Sequence, residues 1–122
     1  MSKLSNQKLK LLYLMKILLR ETDELHPMSV TDMITALDRQ GIPAERKSIY
    51  DDLEALRFFG LDIVQVRNKT VGYYVANREF ELPELKLLVD SVQSSKFITH
   101  KKTVSLIEKI EGLTSKHEAK LL

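Results

Sequence analysis

A mainly helical fold with one small β element, an α+β chain, is what this sequence predicts. Apolar residues recur at helical spacing across three stretches, 5–20, 30–40 and 43–61. The period then drops to two over residues 63–75 and returns to helical spacing after Phe80. With 122 residues, 43% of them hydrophobic, the chain can bury one core and carry an appendage.

The first stretch, 5–20, places Leu9, Leu12, Tyr13, Ile17 and Leu19 among helix-favouring neighbours, with Ser5 or Asn6 as a cap. It is apolar around most of its circumference and is expected to be mostly buried. Residues 21–27 are polar and end at Pro27, which reads as a loop. Ser29-Val30-Thr31-Asp32 then combines a hydroxyl with an acid three residues on, the signature of a capped helix start. Met33, Ile34 and Leu37 supply the stripe of a short second helix that stops at Gly41.

The stretch 43–61 is the most informative. Ile49, Leu53 and Leu56 share one face, with Ala55 and Phe59 expected to widen it. Arg46, Lys47, Tyr50, Asp51 and Glu54 fall on the opposite side. Pro43 suits the entrance of this helix and Gly60 its C-terminal stop. Two short helices joined by a glycine turn, after a longer first helix, match a helix-turn-helix arrangement.

Ile63, Val64 and Val66 form one predicted strand, and Val71, Tyr73, Tyr74 and Val75 a second, turned through Arg67-Asn68-Lys69-Thr70. A hairpin after the third helix makes the predicted fold a winged helix-turn-helix, with a cationic wing tip suited to a phosphate or a minor groove. After Glu81-Leu82-Pro83-Glu84, a helix carries Leu85, Leu88, Val89 and Val92. A second, after Ser94-Ser95-Lys96, carries Val104, Ile107, Ile110 and Leu113. These two make a helical hairpin with more apolar surface than they can hide on each other. Residues 114–122 read as a loosely ordered linker. The expected division is 1–80 for the winged unit and 81–122 for the helical connector.

Composition narrows the function. The formal net charge is +2, from 12 Lys+Arg against 11 Asp+Glu up to residue 80 and 7 against 6 beyond it. Any basic surface must therefore come from local clustering. The absence of cysteine removes thiol catalysis and cysteine-based zinc sites and fits a reducing, cytoplasmic setting. The apolar run 9–19 is broken by Lys10 and Lys16 and is too short to span a bilayer, so no membrane association is expected. His26, His100 and His117 have no metal-ligand spacing. Ser94, Ser95 and Thr99 have no base at a motif spacing and read as caps, and no glycine-rich phosphate loop exists. No enzyme, metal or cofactor is expected.

Residues 8–80 resemble the N-terminal winged helix of bacterial WYL-domain transcriptional regulators, which are DeoR-like in style. The resemblance is carried by K-L-K-L-L-Y-L-M-K-I-L-L, by E-R-K-S-I-Y-D-D-L-E-A-L-R-F-F-G-L-D-I and by the wing I-V-Q-V-R-N-K-T-V-G-Y-Y-V. It continues through F-E-L-P-E-L-K-L-L-V-D-S-V-Q-S-S-K-F-I-T, the helical connector of that family. By position, it implies that Arg46, Lys47, Ser48 and Tyr50 open the recognition helix. Ser29 and Thr31 would touch phosphate from the second helix, and Arg67, Asn68 and Lys69 would form the wing tip. The implied partner is double-stranded DNA, read by a sequence-specific regulator. The family often has a basic residue where Asp51 stands, and an acid there either repels phosphate or selects cytosine N4. An effector would act only through a domain beyond Leu122.

Each assignment competes with a simpler one. Arg46, Lys47 and Ser48 alone would be a solvated first turn, and Tyr50 either donates to a phosphate or packs on the first helix. Asp52 and Glu54 are expected to be salt-bridged to nearby cations. The helical hairpin would pack within the chain or form a homodimer matching a palindromic site. The rival reading is a winged helix used as a protein-interaction module, favoured by the near-neutral charge and the Asp51-Asp52 pair.

Overall fold

The computed structural model describes the backbone of residues 3–122 and the side chains from residue 7 onward. Among the described residues the chain is mainly helical, with one two-stranded antiparallel sheet. The order is α1 (Lys3–Glu21), α2 (Val30–Arg39), α3 (Arg46–Phe59), β1 (Ile63–Arg67), β2 (Val71–Val75), α4 (Leu82–Ser94), α5 (His100–Glu111) and α6 (Lys116–Ala119). The chain divides into two compact units, the first ending at Asn77 and the second beginning at Arg78. The division falls three residues before the expected boundary at residue 80.

The first unit is built around apolar stripes that the sequence sets at helical and strand periods. Leu14 and Leu18 of α1, Val30, Met33 and Leu37 of α2, and Ile49, Leu53 and Leu56 of α3 are all buried. Ile63, Tyr73 and Val75 of the hairpin close the same core, with Ile42 from the link before α3. Burial of this area is the main force holding the unit together.

Local signals end the helices where chain chemistry favours it. Ser29 caps α2, its Oγ accepting from the Asp32 amide at 3.1 Å while the Asp32 carboxylate accepts from the Ser29 amide. Gly60, with φ 130°, ends α3 in a conformation that side chains disfavour. Pro43 does not open α3: Glu45 is the N-cap and the helix begins at Arg46, so Pro43 belongs to an extended link. α1 is already helical at Lys3, so Ser5 and Asn6 lie inside it, and their side chains fall outside the described set.

Two expected faces are narrower than the sequence indicated. At about 100° per residue, Ala55 lies about 130° and Phe59 about 90° from the centre of the Ile49–Leu53–Leu56 stripe. Both are exposed, Phe59 at 75%. Leu12 lies about 160° round α1 from Leu14 and is 56% exposed, so α1 is buried on one side only.

The hairpin pairs Ile63 with Val75 through Arg67 with Val71, leaving a loop at 68–70. It is anchored to the segment before α2. The Met28 and Tyr73 amides each donate to the other's carbonyl at 2.8 Å. The Thr22 hydroxyl donates to the Leu18 carbonyl at 2.6 Å and accepts from the Val75 amide at 3.1 Å. Gly72 faces Pro27 so closely that an added Cβ would stand 2.8 Å from the Pro27 Cβ.

In the second unit α4 and α5 form a helical hairpin. Leu85 and Val89 are buried, whereas Leu88, Val104 and Leu113, expected in the seam, remain exposed together with Leu87 and Leu106. Thr99 caps α5 through the Lys102 amide. Residues 114–122 are not a loose linker. Thr114 and Ser115 are buried, and Ser115 caps the single turn of α6 through the Glu118 amide at 3.2 Å. The Thr114 hydroxyl donates to the Glu118 carboxylate at 2.6 Å.

Candidate nucleic-acid interface

The first turn of α3 is where cations meet the cleft of the first unit. Arg46 is the first residue of the helix, and Lys47 is exposed beside it. Arg46 Nη2 donates to Thr31 Oγ1 at 2.9 Å, and Nη1 to the Tyr50 hydroxyl at a long 3.4 Å. The guanidinium thus spans the N-terminal turns of α2 and α3. Tyr50 is 43% exposed and stands outside the buried core.

Opposite α3 stands the hairpin tip. Met28 and Pro27 hold β2 against the chain entering α2, and the 68–70 loop and the first turn of α2 line one space. An open cleft of about 940 Å³ results. Ser29, Thr31, Arg46 and Tyr50 line one side, and Asn68 and Lys69 the other. Six of the nine residues expected to contact a partner therefore surround one space. Lys47 and Arg67 are exposed but outside that lining, and Arg67 ends β1 instead of sitting in the turn.

Ser48, expected at the DNA face, has partners within the protein. Its hydroxyl donates to the Glu45 carbonyl at 3.0 Å and accepts from the Lys10 ammonium at 2.7 Å. That Lys10 is nearly buried and pairs with Asp52 at 2.8 Å, so Ser48 and Asp52 pin α3 to α1. Glu54 pairs with Arg57 at 2.6 Å, and Arg57 Nε donates to the Ile63 carbonyl at 3.1 Å, tying α3 to β1. Asp52 and Glu54 are thus both salt-bridged, as expected.

The cleft is electrostatically mixed. Arg46 and Lys69 face it, but so do Glu24 and Asp32. Asp32 is committed to the α2 cap, where an acid is favoured by the helix dipole. Tyr73, also in the lining, is buried, and that burial pushes its phenol above the usual value of 10.0, with Tyr50 adding to the rise and Arg57 and Arg46 opposing it. It therefore stays neutral at physiological pH.

The loop residues Glu24, Leu25 and Pro27 and the strand residues Val66 and Gly72 also line the cleft and were not singled out by the sequence. Only Gly72 carried a local signal, since a glycine inside a strand marks a close approach. Among the described residues no group of three His, Cys, Asp or Glu side chains could hold a metal ion, and no helix is long and apolar enough to cross a membrane. No protein-family model, curated protein or solved structure matches this chain.

Proposed function

We propose that the first unit is a winged helix-turn-helix domain that binds double-stranded DNA as part of a cytoplasmic transcriptional regulator. The observation that carries this reading is the convergence of Ser29, Thr31, Arg46 and Tyr50 with Asn68 and Lys69 around one open cleft. In B-DNA each sugar-phosphate strand runs between a major and a minor groove. With the α3 N-terminus in the major groove and the hairpin tip over the adjacent minor groove, that strand would occupy the cleft. Ser29, whose oxygen caps α2, still has its proton to donate to a phosphate. Lys47, Arg67 and Lys69 add charge on either side. The exposed leucines of α4 and α5 suit a two-fold assembly on an inverted repeat.

A second reading, a protein-interaction module, draws on Glu24 and Asp32 in the lining and on Asp51 exposed along α3. One titration separates the two. Fluorescence anisotropy of a random-sequence duplex, followed from roughly 50 to 200 mM salt, should show affinity falling steeply as phosphate contacts are screened. Lys69→Ala should lower the slope of log K against log salt by about one. A duplex left unbound at the lowest salt would reject the DNA reading and favour a protein partner.

A further inference from the structure

Resting on the DNA reading above, we infer that Arg46 reads a guanine, and that Thr31 and Tyr50 are the positioning residues that aim it. A guanidinium carries five N–H donors in a rigid plane. Thr31 Oγ1 takes one from Nη2 and the Tyr50 hydroxyl one from Nη1. One donor remains on each terminal nitrogen, and Nε adds a third. Two parallel donors on a fixed plane match the O6 and N7 acceptors on the major-groove edge of guanine, and no other base offers that pair.

The placement is also that of a base reader. Arg46 is the first residue of α3, the end of a recognition helix that reaches base edges. It is braced from two helices, by Thr31 from α2 and by Tyr50 one turn along α3. A bidentate contact needs the guanidinium plane held in register, and at the first residue of a recognition helix the acceptors within reach include the base edges. Thr31, expected to contact phosphate itself, thereby acts through Arg46. Lys69, on a loop and without such bracing among the contacts described, has the character of a phosphate ligand.

The test is selection of duplexes from a random library by the full chain, followed by affinity and salt-slope measurements on the selected site and its single-base variants. The wild type should enrich guanine at one position of each bound site, and replacing it should cost roughly 5- to 140-fold in affinity. Arg46→Ala should flatten that position alone and leave the salt slope unchanged, unlike Lys69→Ala. Thr31→Val and Tyr50→Phe should each weaken the guanine preference several-fold at unchanged slope and melting temperature, and Thr31→Ser should restore it. If Arg46→Ala instead weakens all duplexes alike and lowers the slope by about one, Arg46 is a phosphate ligand and the inference fails while DNA binding stands. Salt-dependent binding without any guanine enrichment overturns it in the same way. No binding at any salt removes the DNA reading and the inference together.

Discussion

The two units of this protein spend similar sequence material in different ways. The first buries five leucines, three isoleucines, two valines, Met33 and Tyr73 from three helices, the link before α3 and a hairpin in one cluster of twelve residues. The second has helices of comparable length, yet of its large apolar residues only Leu85 and Val89 are buried, and Leu87, Leu106 and Phe97 are exposed. The difference lies in what the faces have to pack on. Three helices and a hairpin offer each stripe several partners, whereas two helices offer each stripe one. Amphipathic periodicity therefore announces a helix in both units but a dense core only in the first.

That contrast makes graded predictions. The largest effect belongs to the core: Leu53→Ala should destabilise the protein by about 2–5 kcal/mol in urea titrations, from lost burial and the cavity left behind. Next comes Lys10→Met, expected to cost about 1–3 kcal/mol because it strands the largely buried Asp52 carboxylate. A Lys10→Met/Asp52→Leu double variant should recover most of that loss, and no recovery would show that the ion pair is not what Lys10 contributes. Gly72→Ala should cost about 1–3 kcal/mol through overpacking against Pro27 and should loosen the hairpin, read as faster amide exchange at Met28 and Tyr73. At the bottom of the scale, Leu87→Ala should stay within about 0.5 kcal/mol, since its side chain is already 68% exposed. An effect at Leu87 as large as that at Leu53 would mean that the second unit is packed more tightly than its exposed leucines indicate.

What was legible in the sequence follows the range of each interaction. The Ser29–Asp32 cap, the Gly60 stop and the strand period of 63–75 are written within a few residues, and each appears where expected. Pro43 was misleading because a proline near a helix start can equally belong to the extended link before it. Residues 114–122 read as a tail because α6 is a single turn of four residues, too short a helix to leave a periodic trace. The cleft itself was only half visible. The polar face of α3 could be counted off the chain, but Lys10 reaching Ser48 across 38 residues, and Glu24 and Pro27 joining the lining, depend on how the helices cross.

Whether DNA enters the cleft between α3 and the hairpin can be read residue by residue in solution. Amide chemical shifts of the full chain should be followed as a random-sequence duplex is added at low salt. Perturbations should concentrate at Ser29, Thr31, Arg46, Lys47, Tyr50, Asn68 and Lys69, with α4 and α5 little changed. Perturbations centred on the exposed side of α1 around Leu12, or on α4 and α5 alone, would contradict DNA binding in the cleft, as would a spectrum that the duplex leaves unmoved.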